Sequence, residues 1–313
     1  MNRRLHEFLD KWVPTPYYRL LSRRRKQLEA QWAALPVDEL KRRNEALYRE
    51  KVGHTIDWDD PKAYTEKMQV EKLFHLYPQK AQLTDKYAVR AWVAEKIGAE
   101  YLVPLCGKGV YEHAADIDFD ALPNAFVLKS NAGSGDAIIV RDKSKLTGKD
   151  IRRIRARMEY QLHYCYAWVA YEMHYKDIKP KLLTEQFLDS GETDLPDYKF
   201  LCFDGKPLYC WVDVGRYHKH KRNVYDLDWN LQDWNQRHYG NYEGTLEKPK
   251  NFDRMIELAT TLCEGFSHVR VDFYNVDGRI YFGEMTFTNG SGFEPIVPYE
   301  ADLRLGARWN LNL

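Results

Sequence analysis

Over the first hundred residues apolar side chains return at helical spacing. The stretch Leu28–Tyr48, rich in Ala, Leu, Glu and Arg, reads as one helix. A second is expected after Thr84-Asp85, either of which can cap it, and runs through Ala94. From residue 101 the texture changes to short apolar runs separated by turn residues, with one helix-like interval at 148–176. Strands are expected at Phe126–Lys129, Ala137–Val140, Lys181–Phe187, Tyr198–Phe203, Leu208–Val214, Val269–Tyr274 and Ile280–Phe287, several rich in Val, Ile, Phe and Tyr. A helical front followed by mixed helices and strands points to an α+β class. No internal repeat or low-complexity segment interrupts the pattern.

With 313 residues, 44% of them apolar and 14% aromatic, the chain can bury a core, which excludes disorder and collagen-like repeats. That length suits two domains or one large one. No apolar run approaches the roughly 18 residues of a membrane span, and the stretch MNRRLHEFLDKWVP has no signal-like apolar core, so a cytoplasmic location is expected. The cysteines at 106, 165, 202, 210 and 263 are scattered and form no CxxC pair, which favours buried free thiols over zinc or disulfides. Charge balances overall, 47 Lys+Arg against 46 Asp+Glu, but residues 1–51 carry a net +6 and the remainder −5. The negative balance beyond residue 51 argues against nucleic-acid binding. In the front segment Arg23, Arg24, Arg25 and Lys26 lie near Trp12, Tyr17, Tyr18 and Leu20. They suit contact with membrane headgroups or a polyanion, or else a plain solvated helix face.

Three stretches have the composition of reactive sites. In the first, the strands Phe126–Lys129 and Ala137–Val140 flank Ser130-Asn-Ala-Gly-Ser-Gly-Asp136, a loop too long for a tight turn. Gly133 and Gly135 let successive backbone N–H groups turn toward phosphate oxygens, and Lys129 adds positive charge, although an ordinary flexible hairpin has the same composition. No Gly-Lys-Ser/Thr follows, so this is not a Walker A loop. In the second, Arg270-Val-Asp272-Phe-Tyr274 and Ile280-Tyr-Phe282-Gly-Glu284-Met-Thr286 flank a turn at Asn275–Gly278. By the two-residue period Arg270, Asp272 and Tyr274 share a face, as do Phe282, Glu284 and Thr286. A three-residue turn, Asp277-Gly278-Arg279, pairs Val276 with Ile280, Asp272 with Glu284 and Arg270 with Thr286. Opposed carboxylates repel, so that register makes sense with a hard cation such as Mg²⁺ between them. A two-residue Asp-Gly turn instead pairs Asp272 with Gly283 and sends Glu284 to the other face. The third stretch, Lys181–Leu188, is an apolar strand containing Glu185, with Glu192 beyond a turn.

Between the last two lies Arg216-Tyr-His-Lys219-His-Lys221-Arg222, a basic and aromatic run read as a loop that clamps phosphate or an acidic sugar, with a plain solvated loop as the alternative. Trp229, Trp234, Tyr239 and Tyr242 suit sugar stacking and core packing equally. Asp118-Phe-Asp120 and Asp226-Leu-Asp228 have the DxD form used by metal-dependent glycosyltransferases, a triplet common in any chain.

In order along the chain, several motifs resemble the ATP-grasp superfamily. They are Thr65-Glu-Lys-Met, Thr84-Asp-Lys-Tyr-Ala-Val-Arg90, Phe126-Val-Leu-Lys-Ser-Asn-Ala-Gly-Ser-Gly135, Asp197-Tyr-Lys-Phe, Gly205-Lys-Pro, His220-Lys-Arg-Asn, Val269-Arg-Val-Asp-Phe-Tyr-Asn-Val-Asp-Gly and Tyr281-Phe-Gly-Glu-Met-Thr-Phe-Thr-Asn-Gly-Ser-Gly-Phe293. The likeness is greatest to the TupA-like branch, whose members occur with bacterial surface-polysaccharide and teichuronopeptide biosynthesis. It implies an ATP-grasp fold, two α+β subdomains gripping ATP. A basic helical segment at 1–60 and a reduced pre-grasp region at 61–125 would precede a small subdomain at 126–190 and a large one at 191–313.

The resemblance also implies roles. Lys86 and Lys129 would contact phosphate and serve catalysis, with Ser130, Asn131, Gly133, Ser134 and Gly135 closing over it. Glu185, Gln186, Phe187 and Leu188 would form the adenine hinge, Glu192 would hold the ribose, and Lys199 would also contact nucleotide. Asp272, Glu284 and Thr286 would hold one or two Mg²⁺ ions, and Arg270 would steady an oxyanion. Arg216, Lys219, Lys221, Arg222, Thr288, Asn289, Gly290 and Ser291 are expected on the substrate side. Two departures stand out: Thr286 replaces the Asn of the usual Glu-x-Asn pair, and Ala132 stands where close relatives often have His. The implied reaction joins a small-molecule or saccharide carboxylate to an amine through an acyl phosphate, releasing ADP and phosphate. A DxD glycosyltransferase and a non-catalytic nucleotide-binding module are the alternatives. Contact of residues 1–51 with the inner face of a membrane would be compatible with the ligase.

Overall fold

The computed structural model describes residues 3–191, 195–215 and 219–311. It opens with six helices, α1 (Arg3–Trp12), α2 (Pro14–Ala33), α3 (Val37–Lys51), α4 (Tyr64–Phe74), α5 (Pro78–Thr84) and α6 (Val89–Lys96). Then come β1 (Leu105–Tyr111), β2 (Phe126–Ser130), β3 (Ile138–Val140), α7 (Gly148–Gln161), α8 (Ala167–Ala170) and β4 (Leu182–Gln186). The second half contains β5 (Asp197–Phe203), β6 (Lys206–Val214), β7 (Lys221–Asp226), β8 (Asn235–Gln236), α9 (Phe252–Cys263), β9 (His268–Val276), β10 (Arg279–Thr286), β11 (Ile296–Val297) and α10 (Tyr299–Arg308). No described helix is long and apolar enough to cross a membrane, and all five cysteines are free.

The single helix expected over Leu28–Tyr48 is two. Pro36 occupies the cap position of α3. It has no N–H to continue the preceding helix, and it disfavours helical backbone at Leu35. Asp85 accepts the N–H groups of Tyr87 (2.7 Å) and Ala88 (3.1 Å), and the helix expected after it begins at Val89. The 148–176 interval holds α7, capped reciprocally by Thr147 and Asp150, then α8 and a 3-10 turn at Met173–Asp177. Every expected strand is present, displaced by no more than about two residues at either end, as is usual for element boundaries. Strand β7 occupies part of the basic run expected to be a loop.

The described strands form two main antiparallel sheets and a short antiparallel pair, β8 with β11. The smaller main sheet, in order β1-β4-β2-β3, packs Phe126, Leu128 and Val140 against Ile154 and Met158 of α7. The larger has the order β10-β9-β5-β6-β7. One of its faces, including Phe200, Cys202, Val269, Val271 and Phe273, is apolar and rests on α9 through Met255, Leu258 and Leu262. The other face divides along its length. Leu201, Phe203, Trp211 and Val224 pack with Tyr64, Met68 and Leu305 from α4 and α10, whereas Asp197, Lys199, Asp213, Arg222, Arg270 and Asp272 make the rest of it ionic.

The β9–β10 hairpin closes on a two-residue turn, Asp277 at φ 52° and Gly278 at φ 94°, the pair of positive φ angles that matches strand twist. The three-residue turn is not formed. Val276 pairs with Arg279 and Phe273 with Phe282, after which Gly283 is an extra residue, and Glu284 then opposes Asp272 while Thr286 opposes Arg270. The bulge therefore restores the carboxylate pairing that a longer turn was expected to produce. It also separates Phe282 from Glu284, which were expected on one face: Ile280, Phe282, Met285 and Phe287 all join the apolar core, so the alternation switches at Gly283. A Cβ at Gly283 would lie 3.1 Å from the Asp272 carbonyl oxygen, which suits this position to glycine.

Candidate active site

A cleft lies between the two sheets. Val103, Val127, Ile139, Phe187, Leu188 and Leu195 give its apolar lining; Lys86, Lys129, Ser134, Glu185, Lys199, Asp272 and Glu284 are among its polar ones. Gly133 (φ 136°) and Gly135 (φ 76°) also line it, with backbone angles that side chains rarely adopt. Gly133 lies against the Tyr166 ring.

The glycine ribbon is held at its base by Ser130 and Asn131, which do not line the cleft, together with Asp136, which does. Ser130 N–H donates to the Asp136 carboxylate (2.9 Å), and Ser130 Oγ bonds within the loop to Ala132. Asn131 donates to Asp85 (2.9 Å) and to the Lys179 carbonyl (3.0 Å) and accepts Lys181 N–H (2.7 Å). Ser130 and Asn131 are fully buried, so they frame the loop rather than meet a ligand through their side chains. Ala132 packs beside Ala81 and Ile178, leaving only main chain for any phosphate contact there.

Two cations bracket this ribbon. Lys86 Nζ donates to the Gly133 carbonyl and stands 3.8 Å from Glu284 Oε2, bridging the ribbon and the large sheet. Lys129 Nζ is 2.6 Å from Glu185, whose other oxygen is 3.6 Å from Arg90. Glu185 is thus the buried counter-ion of Lys129. Gln186, Phe187 and Leu188 continue along the cleft, with Gln186 N–H already donated to the Pro104 carbonyl (2.8 Å) and the Arg141 guanidinium 5.0 Å from the Phe187 ring.

The large sheet supplies a ladder of opposite charges from all five of its described strands. Arg270 donates from Nε and Nη2 to Asp272 (2.7 and 2.8 Å), and Nη2 also reaches Glu284 Oε1 (2.9 Å) and Thr286 Oγ1 (3.1 Å). Lys199 Nζ is 2.7 Å from Asp272, 3.1 Å from Asp197 and 3.9 Å from Asp213. Asp213 in turn receives the fork of Arg222. Burial pushes the Asp272 carboxyl above its ordinary range, against the pull of Arg270 and Lys199. Burial lowers Lys199, but Asp197 and Asp272 outweigh it and leave the ammonium raised. Burial raises Asp213, yet Arg222 drives it far below the usual carboxylate value.

Asp272 and Glu284 offer hard oxygen donors on adjacent strands, a set that fits Mg²⁺. Glu284 stands in the cleft wall, while Asp272, 1% exposed, already meets two cations. Thr286 Oγ1 is engaged between Arg270 and Glu284 (3.1 Å each), and neither Thr286 nor Arg270 lines the cleft. Among the described residues no trio of His, Cys, Asp or Glu gathers around a metal-sized space, so a dication here would need further ligands from nucleotide and water.

The substrate-side expectations disperse. Arg222 is buried in its pair with Asp213, covered by Trp211 and Tyr239 (4.5 and 4.1 Å); Lys219 is exposed, and Lys221 is half-buried on the sheet edge. Arg216 and Glu192 lie outside the described residues. Thr288 and Ser291 give their hydroxyls to Glu172, Asn289 accepts from Tyr64, and Gly290 has φ 57°; the four make a turn packed on α4 and do not line the cleft. Trp229 stacks on Tyr225 and Trp234 lies in the core, so packing accounts for both, while Tyr242 is exposed. Both DxD triplets are local turns, with Asp118 accepting Asp120 N–H and Asp226 accepting Asp228 N–H (3.0 Å each).

Sequence reasoning missed Glu172 and Lys72. Burial raises the Glu172 carboxyl and lowers the Lys72 ammonium, which donates to the Ser291 carbonyl (2.9 Å) and sits 3.6 Å over the Phe293 ring. It also missed Asp197, although two-residue spacing from Lys199 was visible in Asp197-Tyr-Lys-Phe.

No curated protein sequence matches the chain. Solved structures similar to it include the D-alanine–D-alanine ligase of Bacillus anthracis complexed with ATP, at 16% identity and TM-score 0.36, covering 66% of this chain and 53% of that one. The L-amino acid ligase of Bacillus licheniformis has 14% identity and TM-score 0.37, over 67% and 42% of the two chains. The D-cycloserine synthetase DcsG has 16% identity and TM-score 0.39, over 74% and 72%. This chain thus spans about half the length of the first of these. The sequence model described as TupA-like ATPgrasp matches residues 66–310, and with that span the chain belongs to the TupA-like ATP-grasp family.

Proposed function

We propose that the protein is an ATP-dependent carboxylate–amine ligase, forming an amide through an acyl phosphate. The observation that carries this reading is one cleft bounded by the glycine ribbon, Lys86 and Lys129 on one side and by Asp272 and Glu284 on the other. The apolar lining suits an adenine ring, and the cationic ribbon suits a polyphosphate. In the reaction the acid's carboxylate oxygen attacks the γ-phosphorus and ADP departs; the amine then attacks the acyl carbon, and phosphate leaves as the amine loses a proton. Lys129 and Lys86 meet the negative charge on the transferring phosphoryl group. Mg²⁺ held by Glu284 and Asp272 would supply further positive charge at the phosphate oxygens. Arg270 fixes both carboxylates in place, a positioning role before any contact with an oxyanion. The acid and amine belong, on this reading, to amino-acid, amino-sugar or surface-polysaccharide precursors handled in the cytoplasm.

Coupled ADP detection with Mg²⁺ and pools of candidate acids and amines tests the proposal. Acceptor-dependent ADP release is expected from the intact chain. Release that stays at background with every pool, while ATP still stabilises the fold, would assign the protein to nucleotide binding without catalysis.

A further inference from the structure

Away from the cleft, α1 and α2 fold onto α7. Tyr17 and Tyr18 are buried against Ala156, with Leu9, Leu21 and Tyr160 around them. Asp10 accepts the Tyr18 hydroxyl (2.9 Å) and lies 3.5 Å from Arg153. This packing leaves Leu5, Phe8 and Trp12 outside: they are 49%, 57% and 59% exposed, and their three- and four-residue spacing makes one stripe along α1. Val13 and Leu20 are exposed as well. Large apolar side chains grouped in this way mark an interaction surface.

Beside the stripe is a second cavity, between α2 and α7, lined by Arg19, Arg23, Lys26, Arg152 and Arg155. Glu159 is the carboxylate in its lining, and it is engaged by Ala114 N–H (2.9 Å) and lies within 3.9 Å of His113 and 3.5 Å of His163. The buried Arg155 Nε–H has no hydrogen-bond partner among the described residues. The two surfaces adjoin. Thr15, in the first turn of α2, lines the cavity, and Lys149, one turn before Arg152 on α7, stands 6.0 Å from the Trp12 ring.

We propose that this face docks on an anionic lipid bilayer. Leu5, Phe8 and Trp12 enter the boundary between headgroups and acyl chains, and the α2–α7 cavity receives lipid phosphates. A soluble polyanion would satisfy the cations but give the apolar stripe nothing to bury against, which is why the lipid surface is the better occupant. The inference does not depend on the ligase reading.

Vesicle flotation of the full chain tests it, with phosphatidylcholine vesicles alone and with phosphatidylglycerol added. Binding is expected to favour the anionic vesicles by about tenfold or more and to weaken in high salt. An Arg19→Gln/Arg23→Gln variant should bind roughly thirtyfold less tightly. A Phe8→Ala/Trp12→Ala variant should lose binding at either salt level, with unchanged circular dichroism and melting showing that both variants fold. Equal binding to both vesicle types, or none, would overturn the proposal. So would binding of a soluble sulfated polysaccharide that survives loss of Phe8 and Trp12 when vesicles are not bound.

Discussion

On strands β5 and β6 the same face of the large sheet meets two environments two residues apart. Leu201 and Trp211 press against the α4–α10 side, while Lys199 and Asp213 stand among counter-charges. In the first region each buried side chain contributes roughly 1.5–3 kcal/mol by leaving water. In the second, Coulomb attraction is offset by desolvation, so the ion network adds little net stability and chiefly holds groups in position. Folding strength and chemistry are therefore carried by opposite ends of one surface.

Substitutions on the two sides should separate these roles. Trp211→Ala is expected to cost about 3–5 kcal/mol in urea unfolding through the cavity it leaves, with the rate of ADP release per folded molecule kept. Asp213→Asn belongs to the ionic end and yet should cost a similar amount, about 3–5 kcal/mol, because the buried Arg222 loses its counter-charge. An Asp213→Asn chain as stable as the parent would show that Arg222 finds another partner.

Glu284→Gln should reverse the pattern. ADP release is expected to fall on the order of 10²–10³-fold, with the melting temperature nearly unchanged, since Glu284 is among the less buried members of the network.

The dry end contains two titratable exceptions. Burial holds the His268 imidazole at about 4, so as pH falls from about 6.5 the unfolded chain takes a proton that the folded chain refuses, and stability is lost. Asp302, which anchors Thr65 at the start of α4, is pushed by burial up to about 6 and works in the other direction: below about pH 6 the folded chain protonates first and gains stability. Asp302→Asn removes that gain. Its stability should fall more steeply than the parent's between about pH 6 and 4, by about 1–3 kcal/mol, in urea titrations across that range. The smallest effect is expected at the bulge, where Gly283→Ala should cost about 1 kcal/mol and lower activity by moving Asp272, whose backbone faces the added methyl.

Much of the fold was legible in local pattern. Seven of the nine described strands in the two main sheets announce themselves by Val, Ile, Phe and Tyr, and the lysine before the glycine ribbon by its place at a strand end, whereas β1, with two glycines and a lysine, and β7, with its basic start, go unread. Pro36 stands in plain view as a helix breaker, yet Leu28–Tyr48 reads as one helix through it, because the Ala-, Leu-, Glu- and Arg-rich composition outweighs a single residue. The length of the β9–β10 turn was not legible, because Asp277-Gly278 can close the hairpin with or without Arg279, and the choice of the two-residue form is made by core packing of Ile280 and Phe282. Arg222 carries the composition of a solvated loop; only its pairing with Asp213 across the β6–β7 hairpin makes it interior. Likewise the hydroxyls of Thr288 and Ser291 look free for a ligand until Glu172, more than a hundred positions earlier, arrives beside them.

Gly283 makes β10 one residue longer than its partner requires. A chain lacking that residue would alternate regularly through the same stretch, with Ile280 and Phe282 still inward and Glu284 and Thr286 still toward the ions. The strand thus carries a spare unit. Shortening it there would preserve which groups look into the gap between the sheets and alter only the angle at which the outermost acid is aimed.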